Sequence, residues 1–136
     1  MDISILIPVY NVEAYVGQCL KSIPHNSLEM EIVCLNDGSS DESLTVLELA
    51  AREDERIVII DKQNEGYGAT LNCGIREAQG RYIGIVEPDD FLDGDMFATL
   101  FNLAKRLDFP DVVKSAYWSA SETDDVDRHL CGFHNR

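Results

Sequence analysis

Apolar and polar positions along the chain switch between a strand-like run and a helix-like period several times. Residues 3–7 form a short run rich in β-branched side chains that Pro8 stops, which predicts a buried strand followed at once by a loop. Val12, Tyr15, Val16, Cys19, Leu20 and Ile23 then recur at helical spacing until Pro24 ends the pattern. The unit repeats. Residues 31–35 predict a second strand, Asn36-Asp37-Gly38 a turn, and Ser39 with Glu42 three positions on a capping box that opens a helix buried along Leu44, Leu47, Ala50 and Ala51. Residues 56–60 predict a third strand. After Gly66 and Gly68 a helix carries Leu71, Ile75 and Ala78 on one side until Gly80 closes it, and residues 82–86 predict a fourth strand. Met96, Leu100, Leu103, Ala104 and Leu107 mark a further amphipathic helix capped by Asp93, and residues 111–114 a short fifth strand. From Ser119 the periodicity is lost, and residues 121–127 are polar and rich in Asp, as in a loop or tail.

Strands alternating with helices predict an α/β fold, a mainly parallel sheet covered on both faces. Such sheets bind ligands beyond the carboxyl ends of their strands, so the loops after Ile7, Leu35, Ile60 and Val86 are where chemistry is expected. A chain of 136 residues, 45% of them hydrophobic, suits one domain. Its 11 Lys and Arg face 25 Asp and Glu, a net charge of −14 that repels a nucleic-acid backbone and excludes that partner class. An acidic protein that handles a small anion needs a bound cation or helix N-termini aimed at it. Cys19, Cys34 and Cys73 fall inside apolar patterns and read as reduced core thiols. The first residues lack a basic segment, and no stretch approaches the ~20 apolar residues of a membrane helix. A cytoplasmic setting is expected, with membrane association only through sequence lying outside this chain, at the inner face.

The strongest local signal is Glu87-Pro88-Asp89-Asp90, three carboxylates in four residues directly after a predicted strand. Such crowding favours a hard cation, Mg²⁺ or Mn²⁺, that fills its remaining positions with water and substrate phosphate. The competing reading is a solvated turn in which Asp90 or Asp93 caps the next helix. Pro8-Val9-Tyr10-Asn11 follows the first strand, where Tyr10 offers a face for a stacked base and Asn11 a polar amide. Asp37 accepts an N–H from a base edge or ribose hydroxyls. Packing for Tyr10 and an Asx-turn for Asp37 are the bland alternatives. In Asn64-Glu65-Gly66-Tyr67-Gly68 the glycines allow backbone N–H groups near a helix start to approach a diphosphate.

In this order the motifs resemble those of family 2 glycosyltransferases with the Rossmann-like GT-A fold, from about Ile3 to Trp118. Pro8 to Asn11 with Glu13 shortly after, Asp37-Gly38-Ser39-Ser40-Asp41, Asn64 to Gly66 followed by Asn72 and Gly74, and Glu87 to Asp90 carry the resemblance. It implies a glycosyltransferase of polysaccharide biosynthesis that moves a sugar, with inversion, from a UDP- or GDP-type nucleoside diphosphate-sugar to a saccharide or glycolipid acceptor. Pro8, Tyr10 and Asp37 would surround the base and ribose, with Asn11, Glu13, Gly66 and Asn72 as further donor-site residues. Glu87, Asp89 and Asp90 would hold Mg²⁺ or Mn²⁺ on the diphosphate, Asp89 also meeting the substrate.

Leu71 stands where many members carry an arginine, which leaves Lys62 or the metal to balance the diphosphate. Glu87 replaces the commoner aspartate. Residues 1–118 read as the nucleotide-sugar-binding subdomain, and 119–136 as a polar tail or the start of an acceptor-binding half, so the fold is expected truncated. No residue is marked as the catalytic base, and the fragment alone is expected to bind rather than turn over. His129, Cys131 and His134 have metal-ligand side chains but no fourth partner. The alternatives are a non-catalytic nucleotide-binding or interaction module, and a phosphoreceiver-like domain, which lacks its acidic pair after the first strand.

Overall fold

The computed structural model describes the backbone of residues 1–120 and 126–131 and the side chains of residues 1–116. The chain falls into two compact units, Met1–Asp95 and Met96–Arg136.

The first unit holds β1 (Ile3–Val9), α1 (Val16–Lys21), β2 (Met30–Asp37), α2 (Ser43–Glu53), β3 (Ile57–Lys62), α3 (Tyr67–Glu77) and β4 (Tyr82–Ile85). Its four strands are all parallel, in the order β3-β2-β1-β4. Every residue of β1 and β2 is buried, as continuous apolar runs in the middle of a parallel sheet require, whereas β3 and β4 are partly exposed edge strands.

Strand order explains where the helices sit. The connections β1-α1-β2 and β2-α2-β3 step in one direction, and β3-α3-β4 steps back across the sheet. Right-handed crossovers then put α1 and α2 on one face and α3 on the other. The α3 face buries Leu6, Val33 and Leu35 against Ile60, Leu71, Cys73 and Ala78. Gly74 sits so close that an added Cβ would lie 2.9 Å from Leu35 Cδ1. The strand order reverses beside β1, which makes the ends of β1 and β4 the expected ligand crevice.

Several boundaries differ from the sequence expectation. The capping box does not form: α2 begins at Ser43 after Glu42, with no side-chain cap on that residue, and Ser39 Oγ instead accepts the Asn11 N–H at 3.1 Å. Ile75 is exposed rather than buried, because Thr70 and Gly74 are the residues of α3 that are buried most deeply.

The second unit contains α4 (Met96–Arg106), which starts two residues later than a cap at Asp93 predicts and buries Phe97, Phe101 and Ala104. The Lys105 ammonium lies 5.0 Å from the centre of the Phe101 ring, and Phe109 meets that ring edge-on. Residues 111–114 are not a strand. Instead β5 (Tyr117–Ala120) pairs antiparallel with β6 (Val126–Cys131), where a polar loop was expected. Short-range alternation in so polar a segment is too weak a signal to announce a hairpin. Among the described residues no helix is long and apolar enough to cross a membrane.

Candidate functional site

A cleft of about 410 Å³ opens at the carboxyl ends of β1 and β2, lined by Pro8, Val9, Tyr10, Asp37, Asn64, Gly66, Tyr67 and Thr70. Its floor is rigid because β1 and β2 are buried along their whole length, and its rim is the N-terminus of α3. Of the site residues expected from sequence, Pro8, Tyr10, Asp37 and Gly66 come together here. Val9, Asn64 and Tyr67, from the same motifs, join them, and Thr70 does so without having been singled out.

Asp37 organises the far wall. It pairs in register with Lys62 across β2 and β3, and Lys62 Nζ donates to its Oδ1 at 2.7 Å. The backbone N–H groups of Glu65 and Gly66 donate to Asp37 Oδ1 and Oδ2, both at 2.9 Å, and Asn64 Nδ2 donates to the Asp37 carbonyl at 3.0 Å. Burial pushes the Asp37 carboxyl up, but hydrogen bonds from Lys62, Glu65 N–H, Thr70 and Gly66 N–H outweigh it and hold the pKa at about 2. Two glycines make the seat geometrically feasible. Gly66 precedes α3 at φ 91°, and a Cβ at Gly38, itself at φ 68°, would lie 2.8 Å from the Asn64 nitrogen.

This arrangement changes two expectations. Glu65 and Gly66 N–H groups serve Asp37 rather than a diphosphate. Lys62, 13% exposed, is held by Asp37 and by Glu65 at 2.8 Å, so it does not replace the missing arginine. Leu71, at that arginine's position, packs into the core below.

Asn11 and Glu13 are drawn to the second loop, away from the cleft lining. Asn11, at φ 50°, accepts from the Ser40 N–H at 2.8 Å and the Asp41 N–H at 3.3 Å through its Oδ1. Glu13 Oε2 accepts the Glu42 N–H at 2.8 Å, and its own N–H donates to Asp41 Oδ2 at 3.1 Å. Val12 N–H donates to Ser43 Oγ at 2.9 Å. Asn11 and Glu13 thus accept the Ser40, Asp41 and Glu42 N–H groups leading into α2, while Asp41 Oδ1 accepts the Ser43 N–H at 2.9 Å, which gives both motifs a shared structural reason. Asn72 is exposed on α3 and is not part of the cleft lining.

The acidic corner follows β4. Glu87 O accepts the Asp90 N–H at 3.0 Å and the Cys19 thiol at 3.6 Å, which fastens the turn to α1. Burial, then the charges of Asp90 and Asp89, push the Cys19 thiol up to about 12. Asp90 is itself raised, by burial and then by Asp89. Tyr67 Oη donates to Glu87 Oε1. Among the described residues, no three His, Cys, Asp or Glu side chains are gathered to hold a metal ion. The three-carboxylate ligand set expected from sequence is thus not gathered in this structure, and one Glu87 carboxylate oxygen is hydrogen-bonded to Tyr67. Asp89 and Asp90 are exposed and repel each other, a donor pair that suits a hard cation whose coordination is completed by water and phosphate.

Cys19, Cys34 and Cys73 are free thiols, as expected. The side chains of His129, Cys131 and His134 lie outside the described residues.

Residues 4–134 match the family described as glycosyl transferase family 2, and the chain belongs to it. It is 36% identical over 120 residues to the uncharacterized glycosyltransferase EpsJ of Bacillus subtilis, covering 88% of this chain and 35% of that protein. The chain thus spans about a third of that relative's length. The fold is that of GT-A glycosyltransferases. It matches S. aureus TarS 1-349 in complex with UDP-GlcNAc with a TM-score of 0.71 at 24% identity, over 78% of this chain and 32% of that one. It also matches the mannosyltransferase PcManGT from Pyrobaculum calidifontis, in complex with GDP-Man and Mn²⁺, with a TM-score of 0.69 at 21% identity, over 81% and 33%.

Proposed function

We propose that this chain is the donor-binding part of a glycosyltransferase that takes a sugar from a UDP- or GDP-type nucleoside diphosphate-sugar and transfers it, with inversion, to a saccharide or glycolipid hydroxyl. The observation that carries this reading is the pairing of a cleft at the ends of β1 and β2 with an acidic corner at the end of β4, linked by Tyr67 and Glu87. Similarity to proteins whose structures are in complex with UDP-GlcNAc and with GDP-Man and Mn²⁺ supports it.

In this reading Tyr10, 53% exposed, and Pro8 flank the base, while Asp37 holds the Asn64 to Gly66 wall against it. Asp37 acts by positioning the wall. Asp89 and Asp90 would hold Mg²⁺ or Mn²⁺, with Glu87 beside them. The cation supplies Lewis-acid stabilisation of the departing nucleoside diphosphate. The first-turn amides of α3, from Tyr67 to Ala69, lack intrahelical acceptors and border the cleft, so they favour the negative charge of a phosphate. Residues 1–118 are assigned to the donor subdomain and 119–136 to a polar tail or the start of the acceptor half, in a cytoplasmic protein that would meet the inner membrane face only through sequence outside this chain.

Calorimetry with UDP and GDP, each with and without Mn²⁺, tests the reading. Binding that strengthens with Mn²⁺ and weakens at least tenfold in Asp89→Ala is expected. Absence of nucleotide binding with the metal present, or an unchanged affinity in Asp89→Ala, would leave the non-catalytic interaction module as the better account.

A further inference from the structure

Tyr67 belongs to both halves of the site. It is the first residue of α3, is 54% exposed, and lines the cleft beside Tyr10 and Asn64. Its hydroxyl reaches the end of β4 and donates to Glu87 Oε1. That hydrogen bond, then burial, then the charge of Glu87 hold the phenol above its ordinary pKa.

We propose that Tyr67 is a positioning residue that holds Glu87 at the acidic corner and thereby couples nucleotide in the cleft to a divalent cation at the corner. The inference rests on the donor-site reading above. Glu87 has a long, flexible side chain, and an unrestrained carboxylate loses rotamer freedom when it helps to bind a cation. A phenol fixed by α3 removes that freedom in advance. It occupies one carboxylate oxygen and leaves the second to interact with the cation. The chemistry of the clasp matters too. A lysine or arginine here would cancel the charge of Glu87, whereas a neutral O–H orients the carboxylate and keeps the corner's full attraction for a cation. Partners that orient ligands in this way are commonly worth about 10–100-fold in metal affinity. Because the same ring lines the cleft, a nucleotide packed against it stabilises the clasp, and coupling between two ligands is reciprocal.

The test compares the whole chain with Tyr67→Phe, Glu87→Gln and the double variant, measuring UDP and GDP affinity with and without Mg²⁺. Tyr67→Phe is expected to lose about tenfold of the Mg²⁺ enhancement, read as the ratio of affinities with and without Mg²⁺ in the same variant. The double variant should lose no more than the worse single one. The tyrosine ¹³Cζ resonance that disappears in Tyr67→Phe should shift when Mg²⁺ and nucleotide are added to the unsubstituted protein. A wild-type Mg²⁺ enhancement in Tyr67→Phe, or an equal loss with and without Mg²⁺, overturns the coupling while leaving the donor site standing. If neither nucleotide binds the unsubstituted protein under any metal condition, both proposals fall.

Discussion

The turn between α3 and β4 gives a sharp test of how the fold is locked. A Cβ at Gly80 would lie 2.3 Å from Ser4 N, 2.4 Å from Ile3 C and 2.7 Å from Ile3 Cα, all backbone atoms of the central strand β1. Neither side can yield by rotating a side chain, so the turn must move away by about 1 Å to restore ordinary contact. That shift pulls on the Gly80 N–H to Ser4 Oγ bond at 2.8 Å and the Gln79 N–H to Glu31 Oε1 bond at 2.8 Å. The Tyr82 N–H to Asp2 O bond at 3.1 Å follows in the same chain direction. Overpacking costs about 1–3 kcal/mol and each weakened buried hydrogen bond about 1 kcal/mol. Gly80→Ala is therefore expected to lose about 3–5 kcal/mol, a large part of a typical domain's stability. Gly68→Ala is the control. A Cβ there meets nothing within 4 Å, and the residue lies in α3, so alanine should stabilise by up to about 0.5–1 kcal/mol. Urea unfolding followed by circular dichroism, compared at constant slope, measures both. A Gly80→Ala protein as stable as the parent, or a Gly68→Ala protein that is less stable, would refute the packing argument.

Three further outcomes follow from the site. Asp37→Asn places an amide against the donors of Lys62, Glu65 and Gly66; the fall of the carboxyl pKa from 3.8 to about 2 corresponds to roughly 2 kcal/mol of stability that the variant is expected to lack. Since the folded pKa is depressed, this contribution is present above about pH 4 and disappears as pH falls through about 2, so urea midpoints of parent and variant should converge over that interval. Asn11→Ala removes the acceptor for Ser40 and Asp41 N–H and puts alanine at φ 50°; unfolding should show a loss of about 2 kcal/mol, part of it restored in Asn11→Gly. Cys19 and Cys34, both pushed up to about 12, should resist a thiol reagent at pH 8 in the folded protein, while half-buried Cys73 reacts before either of them.

Much of this architecture is legible in the sequence, and the exceptions have physical causes. Continuous apolar runs at residues 3–7 and 31–35 foretell central parallel strands because both sheet faces are covered, and β1 and β2 are indeed buried throughout. Pro8, Tyr10 and Asp37, at the ends of those strands, line one cleft together with Gly66 from the loop after β3. Their roles were less legible, since roles depend on who supplies the hydrogen-bond partner. Asp37 meets Lys62 only through strand register, and Tyr67 meets Glu87 only because α3 crosses back beside β4. Asn11 and Glu13 looked like ligand groups because their motif lies beside the site, yet their hydrogen bonds close the entrance to α2. Ser39 and Glu42 suggested a local capping box, whereas the Glu42 N–H is accepted by Glu13 Oε2 from the β1 loop and the Ser43 N–H by Asp41 Oδ1. The β5-β6 hairpin escaped notice because neither strand has a clear alternating pattern.

The account depends on nucleotide and cation meeting at one place, and a crystal of the chain grown with Mn²⁺ and UDP or GDP tests that directly by anomalous scattering at the manganese edge. Manganese bound to Asp89 or Asp90 and touching a diphosphate whose base lies against Pro8 and Tyr10 is the expected result. A nucleotide bound elsewhere, or density in the cleft with no anomalous signal at the acidic corner, would contradict it.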